Sequence, residues 1–470
     1  MDRPFSSGMP PIQHGTKPGS GIRPFAPLAM PFALGLVLLV VPARRAAAVP
    51  AFAEQTGMAC EACHVGGFGP QLTPLGREFK LSGYTMRAKA FNVPLSAMAV
   101  ASLTHVRKDQ VPPPDGLDRN DNLAFDQGSL FVAGGVGKHL GSFAQITYDG
   151  VAEAWAWDNL DVRAVTRGKL FGTDAVYGLT LNNSPTVQDV WNTTPAWGFP
   201  YTDTAVSGTP DAAPLIDDAL AQNTLGLSAY AWVGQKYYAE AGAYTSPAAG
   251  TLNWLGADPG DPGDIRGLAP YGRFAWQGQA AGGTLQAGAF ALKAAISPGR
   301  DRSTSLRDHY TDLGLDTSWQ KVLSSGDTIS VQARYVHETS NLQASCALAL
   351  VGDGLAPDCA HDHLNEWRGD VSYAWHNGID ATLGAFATAG TRNGDLYGGN
   401  GKPDSNGLMA ELDYSPWGNG NSPLGSRFNM RVGLQCTVYG RFDGARHNYD
   451  GAGANASDND AVRLYTWLAF

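Results

Sequence analysis

The stretch TISVQARYV, residues 328–336, divides cleanly into two faces. Ile329, Val331, Ala333 and Tyr335 fall on one side of an extended chain and Thr328, Ser330, Gln332 and Arg334 on the other, because successive side chains of a strand point to opposite faces. The period recurs in EWRGDVSYAW, residues 366–375, where Trp367, Val371, Tyr373 and Trp375 oppose Glu366, Arg368, Asp370 and Ser372. It recurs again in RFNMRVGLQCTV, residues 427–438, with Phe428, Met430, Val432, Leu434, Cys436 and Val438 against Arg427, Asn429, Arg431, Gln435 and Thr437. From Pro94 to Phe470 the chain repeats this design, segments of roughly ten residues separated by Gly, Asp, Asn and Pro clusters.

Two sheet architectures use such alternation. A soluble sandwich turns the apolar face inward; a membrane barrel turns it to lipid and lines a wet lumen with Arg, Asp, Glu and Gln. About sixteen such segments, many flanked by Trp, Tyr or Phe, favour an all-β chain closed as a transmembrane antiparallel barrel. Closure satisfies every backbone group in hydrocarbon. The chain ends AVRLYTWLAF, with Val462, Leu464, Leu468 and Phe470 alternating to a terminal Phe, the pattern of an outer-membrane barrel's last strand.

Composition agrees. The 470 residues include 58 Gly, 12 Trp and 17 Tyr but only 16% charged residues, where soluble domains carry about 25%. A net charge of −10 with no basic stripe argues against a nucleic-acid partner.

The front of the chain reads as an export signal. Arg3, Lys17 and Arg23 precede the apolar run FALGLVLLVV, Phe32 to Val41, which is too short to span a bilayer as a helix of roughly twenty residues. The small residues of ARRAAAVPAFA follow, with cleavage expected after Ala48 and Ala53 as second choice. The expected organisation is a signal peptide over 1–48, a short segment over 49–92 and a barrel over 93–470.

Two connections exceed turn length: Val187 to Asn223, and Glu338 to Asn365, which are expected to be functional or folded into the lumen. Within the second, Cys346 and Cys359 are expected to form a disulfide in an oxidising compartment. Cys436 lies in an apolar alternation and reads as a small lipid-facing hydrophobe.

The segment GMACEACHVGG, residues 57–67, contains Cys60-x-x-Cys63-His64. In this motif two thiols add across porphyrin vinyl groups and the adjacent imidazole becomes the proximal iron ligand. A zinc site would need a second ligand pair nearby, and a redox dithiol a βαβ surround; neither follows in the sequence. One covalent haem c is therefore expected on Cys60, Cys63 and His64. Glu54 to about Phe91 is too short to enclose a porphyrin alone, since chains under about 40 residues rarely hold a core. The segment should sit as a plug in the lumen or at its periplasmic mouth. For the distal iron ligand, Met86 is preferred over Met98 and His105, with Met58 too near the thioethers; a thioether would raise the potential. The cluster Trp191, Trp197 and Phe199 is expected to pack against porphyrin or to narrow the lumen. The loops Asp109 to Asp121 and His361 to His363 carry carboxylates and imidazoles able to meet a metal ion.

The stretches PAFAEQTGMACEACHVGGFGPQLTPLGREFKLSGYT, Pro50 to Thr85, and NNSPTVQDVWNTTPAWGFPYTDT, Asn182 to Thr204, resemble the fused monohaem cytochrome-porins of the bacterial outer membrane, a family best known as iron oxidases. The resemblance covers essentially the whole mature chain. It implies that Fe(II) is oxidised at or near the cell surface, that the electron passes through the haem carried by Cys60, Cys63 and His64, and that a periplasmic c-type cytochrome receives it. Two other functions use the same parts: a solute porin plugged by its haem segment, and an outward conduit reducing external acceptors. A single porphyrin does not bridge an apolar band about 25 Å tall, so either direction of flow needs a mobile partner at the periplasmic opening.

Overall fold

The structure is a computed structural model that describes residues 50–88 and 94–470, apart from 115, 195, 218, 348–360, 377, 395 and 398. The expected signal peptide and its cleavage site lie outside the described residues, as does Cys359.

Among the described residues sixteen long strands form a closed antiparallel sheet. They are β1 Leu95–Val106, β2 Asn122–Val136, β3 Leu140–Asp149, β4 Ala154–Leu170, β5 Thr173–Asn182, β6 Leu225–Val233, β7 Tyr237–Thr245 and β8 Ala269–Ala280. The second half comprises β9 Gly283–Ser297, β10 Asp308–Val322, β11 Thr328–Leu342, β12 Asp362–Ala374, β13 Ile379–Gly390, β14 Ser405–Tyr414, β15 Asn429–Arg441 and β16 Ala461–Ala469. A two-residue strand, Asp264–Ile265, adds to the rim of β9. Each strand pairs with its sequence neighbour, and β16 returns to β1 with Ala469 opposite Met98 and Ala461 opposite Val106. No unpaired edge is left for lipid to meet.

The two faces are inverted relative to a soluble protein. On β10, Leu313 and Leu315 are 53% and 60% exposed while Asp312 and Asp316 are 0% and 5% exposed. The expected inward residues Ser330, Arg334, Glu366, Asp370, Arg431 and Gln435 are likewise buried, and Trp367, Val371, Leu434, Val438, Val462 and Leu464 are exposed. Cys436 shares the outward face of β15 with Leu434 and Val438, and it is not in a disulfide. Buried charges are paired inside: Arg163 with Asp161 at 2.8 Å, Arg463 with Asp126 at 2.8 Å, Arg431 with Asp380 at 3.0 Å and Asp413 at 3.2 Å. An apolar exterior around a paired polar interior is the construction of a bacterial outer-membrane barrel.

Most connections at the end where β1 begins and β16 ends are short, such as 137–139, 171–172, 234–236 and 281–282, with 415–428 the exception; most at the opposite end are longer, such as 107–121, 183–224 and 442–460. Short turns mark the periplasmic side of such barrels and long loops the extracellular side. The connection expected from Val187 to Asn223 does fold into the lumen: Leu215 N and Ile216 N each donate at 2.7 Å to Glu338 and Asp312, and Asp217 meets Arg334 at 2.8 Å. The connection expected from Glu338 to Asn365 is shorter than its sequence suggests. Its two ends are strand, β11 running to Leu342 and β12 starting at Asp362, because Glu338, Ser340 and Leu342 continue the inward alternation.

The N-terminal residues occupy the lumen near the periplasmic end. They fold as α1 Pro50–Thr56, a single turn α2 Cys60–Cys63, and α3 Pro74–Leu81. Thr73 caps α3, its Oγ1 accepting from Gly76 N at 3.2 Å, with Pro at the first helical position, where no N–H is needed. Inward-facing strand residues hold the segment: Gln71 Nε2 donates to Ser330 Oγ at 2.8 Å, Arg77 to Gln320 at 3.1 Å, Tyr84 OH to Asp161 at 2.6 Å, and Arg431 to the Phe68 carbonyl at 2.8 Å.

Candidate functional site

Where the segment meets the barrel wall there is a cavity of about 180 Å³ with mostly apolar walls. Cys60, Cys63 and His64 line it from the segment, with Phe52, Phe68, Phe79 and Tyr84. Met98, Phe131, Phe143, Asn429 and Trp467 line it from strands β1, β2, β3, β15 and β16, and Val187 and Trp197 from the luminal connection. The segment, the barrel and the connection each supply part of the enclosure, as a peptide too short to wrap a porphyrin requires.

The local fold dictates how the motif presents itself. In α2 the two thiols are three residues apart, hence on one side of a helical turn. His64 N donates to Cys60 O at 2.8 Å and ends that turn. Beyond it the chain doubles back through Gly66 and Gly67, both at positive φ, so that Val65 N reaches Gln71 O at 3.0 Å. Gly67 packs so closely on the backbone of Gly418 that a Cβ there would stand 2.6 Å from Gly418 Cα. α3 packs back on α2 with equal closeness, a Cβ on Gly76 falling 2.2 Å from the Cys63 carbonyl. Asn429 of β15 donates to Cys60 Sγ at 2.9 Å and to Gly67 O at 3.1 Å, fixing the motif to the wall.

The electrostatics suit metal ligation by a neutral imidazole. Enclosure by protein pushes the His64 pKa down to about 4, with the Arg431 cation acting in the same direction and the nearby Gly69 backbone opposing it. Burial raises the Cys63 thiol. His64 Nδ1 is buried with no hydrogen-bond partner. Two thiols, a neutral imidazole with an unsatisfied nitrogen, and aromatic, apolar walls are the donor set and surroundings that suit a covalently attached haem.

The structure reorders the expected distal residues. Met86 does not line the cavity: after α3 the chain turns at Tyr84, φ 58°, and Gln55 Nε2 donates to the Tyr84 and Met86 carbonyls at 2.6 and 2.8 Å, so that this stretch is tied down by its backbone. His105 faces outward near the extracellular end of β1, its Nδ1 2.7 Å from Asp121. Met98 and Met58 both line the cavity, and Met98 Sδ accepts from Trp467 Nε1 at 3.2 Å. Of the expected aromatic cluster only Trp197 reaches the site, stacking edge-on to Trp467 at 5.9 Å. Trp191 packs with Trp232 and Tyr238 around Arg273, and Phe199 lies under Arg368. Among the described residues no three His, Cys, Asp or Glu side chains converge as a metal cage, in the loops 109–121 and 361–363 or elsewhere. Cys346 is disulfide-bonded.

Residues the sequence did not single out include Asn429, Trp467 and Lys80. Lys80 of α3 donates from Nζ to the carbonyls of Val187 and, at 3.0 Å, Asp189, joining the segment to the luminal connection. Burial lowers its pKa to about 8.

The sequence matches no protein-family model and no curated protein. Its fold resembles solved outer-membrane proteins. OprB of Pseudomonas putida, in its high-pH structure, is 11% identical over 80% of this chain and 94% of its own, with a TM-score of 0.47. OmpT of Vibrio cholerae, expressed in the outer membrane, is 8% identical over 82% and 98%, with a TM-score of 0.42. OmpF of Salmonella typhi, in complex with daunomycin, is 10% identical over 80% and 97%, with a TM-score of 0.41. The barrel is established by its own ladder and faces, independently of these likenesses.

Proposed function

We propose that this protein is an outer-membrane electron-transfer protein that binds one c-type haem in its lumen and passes electrons from an extracellular donor to a periplasmic c-type cytochrome. The observation that carries the reading is the placement of both thiols and the imidazole of Cys60-x-x-Cys63-His64 on the wall of an apolar cavity inside a membrane barrel. Fe(II) is the donor suggested by the sequence resemblance, each Fe(II) losing one electron to become Fe(III).

A bound haem supplies a one-electron carrier; the chain supplies attachment, ligands and shelter. Cys60 and Cys63 would attach the haem and His64 would ligate its iron. Asn429 holds the motif in register with β15. Met98, fixed on a strand and lining the cavity, could supply a thioether ligand to a bound haem. Phe52, Phe68, Phe143, Trp197 and Trp467 give the cavity apolar walls, which would shield a bound haem from water and so raise its potential. The cavity lies at the end with short turns, so the periplasmic acceptor has the shorter approach.

The test is an anaerobic titration of the purified haem-loaded protein with a ferrous salt, following the absorption of the reduced haem. One equivalent of electrons per protein is expected to appear in the wild type, and none in His64→Ala. Reduction by dithionite without reduction by ferrous salt would remove iron as the donor while leaving the haem assignment standing.

A further inference from the structure

The hairpin of β4 and β5 stands out from the periplasmic rim. β4 shares its last rung with β3 at Ala164 and Leu140, and Val165 N donates to His139 O at 2.6 Å. β4 nevertheless runs on to Leu170, paired there with β5 and, among the described residues, with no strand on its other side. At about 3.4 Å per residue and a strand tilt of about 40°, its last six residues carry the tip about 16 Å past that rung along the barrel axis. Phe171 at the tip is 99% exposed. Arg167 and Lys169 continue the inward alternation of Asp161, Arg163 and Val165, so they face the opening of the barrel rather than lipid. Arg167 confirms the direction, its Nη2 donating at 2.8 Å to Ser82 Oγ, just after α3.

Cations gather at this corner. Lys138 sits in the neighbouring turn 137–139, and Arg87 reaches the Gly135 carbonyl beside that turn. Lys236 sits in the turn on the other side, where Gly234 N donates to Asp174 O at 2.8 Å. Lys138, Arg167, Lys169 and Lys236 are exposed and Arg87 is half-buried. The carboxylates among them are Asp174, 3.9 Å from Lys169, and Glu78, which accepts from Ser82 at 3.3 Å and from Trp232 at 3.1 Å. Five cations thus stand over two carboxylates, on a chain whose net charge is −10. Across the opening Lys321 and Arg427 are offset by Glu54, Glu61 and Asp327, with Arg427 meeting Glu54 at 3.1 Å. The basic corner is also the one joined to the cavity. Phe79, Lys80 and Tyr84 line that cavity, and Gly83 between them and the hairpin packs so tightly that a Cβ there would stand 2.8 Å from Val165 Cγ1.

We propose that this corner of the rim is the docking face for the periplasmic redox partner, that the partner's own docking face is acidic, and that Phe171 is the apolar anchor between the two. Docking here rests on the haem reading above, in which the partner accepts one electron and its ferric haem becomes ferrous. Charge complementarity selects the partner: a basic surface that points into the periplasm steers and orients an acidic protein and repels a basic one.

The test uses the purified full-length protein in nanodiscs of zwitterionic lipid and one small c-type cytochrome in two forms, native with a basic surface and succinylated on its lysines, which makes it acidic. Binding and the rate of one-electron exchange are measured at low and high salt. The succinylated form is expected to bind about tenfold more tightly than the native form at low salt and to lose that advantage at high salt. Lys138→Glu combined with Lys169→Glu should abolish the preference and slow the exchange about tenfold, and Phe171→Ala should weaken binding about fivefold at either salt. Lys402→Glu, exposed in a connection at the opposite end, should match the wild type. Equal binding of both forms, an undiminished preference in the double variant, binding of the acidic form without faster exchange, or its displacement by soluble peptidoglycan fragments would overturn the proposal. Protein that carries no haem would remove the proposed function, and the binding arm would still decide the surface. Folding of each variant is read from heat-modifiable gel migration; if the double variant does not fold, Lys169→Gln alone decides, with an expected loss of about threefold.

Discussion

At the scale of single residues, the site depends on approaches that only glycine permits. Gly76 brings α3 against the carbonyl of Cys63, and a Cβ there would stand 2.2 Å from that oxygen. Gly76→Ala should therefore push the helix off the motif, at a cost of about 1–3 kcal/mol. The expected outcome is a clear fall in the haem-loaded fraction, measured as the pyridine haemochrome, whereas Gly250→Ala, with no atom within 4 Å of the added carbon, should match the wild type. Distal ligation belongs to the same scale. Met98→Ala is expected to lower the midpoint potential and alter the visible spectrum, and Met86→Ala to leave both unchanged. The reverse result would restore Met86. Cys60, Cys63 and His64, proposed here as the haem-attachment residues, stand out in the sequence because that chemistry fixes their spacing within five positions. Met98 does not. Alternation in β1 shows that Met98 points inward, but its height relative to His64 depends on the closure of β1 on β16, which has no local signature. The odd positions of AVRLYTWLAF did carry one usable signal: Arg463, Tyr465 and Trp467 had to face the lumen, and Trp467 now roofs the cavity.

At the scale of elements, α3 and the luminal connection are fastened by a buried amine. Lys80 has a folded pKa of about 8 against an ordinary value of 10.5, burial being the main cause. Between those values the unfolded chain still holds the proton that the folded one has released. The folded state is thus penalised fully below pH 8, and its stability rises as the pH climbs from about 8 to 10.5. Lys80→Met removes this contribution, and thermal melts at several pH values should show a flatter slope in that window than the wild type; an unchanged slope would show that Lys80 is not desolvated. Element boundaries were read well where one face was apolar and one polar, as in 328–336. They were misread where both faces are polar. Above the apolar band β11 continues with His337, Thr339 and Asn341 outside and Glu338 and Ser340 inside, so the contrast that identifies a strand disappears while the ladder continues to Leu342.

At the scale of the whole molecule, a barrel of sixteen long strands is filled from both ends. The segment 50–88 enters from the periplasmic side and the connection 183–224 from the extracellular side, and they meet at Lys80, Gln71 and Tyr201. Such a lumen is expected to pass no sugars when the protein is reconstituted in liposomes, by a swelling assay; swelling rates equal to those of an open general porin would favour the solute-channel reading instead. The central claim is that one iron-bearing tetrapyrrole resides inside this cylinder, bonded to His64 near the end where β1 begins and β16 ends. Anomalous diffraction at the iron edge from crystals of the haem-loaded protein tests it most directly. The account predicts a single iron peak within bonding distance of His64 and enclosed by Phe52, Phe143, Trp197 and Trp467. An iron peak outside the barrel wall, or none in protein whose Cys60 and Cys63 are shown to carry thioethers, would contradict it.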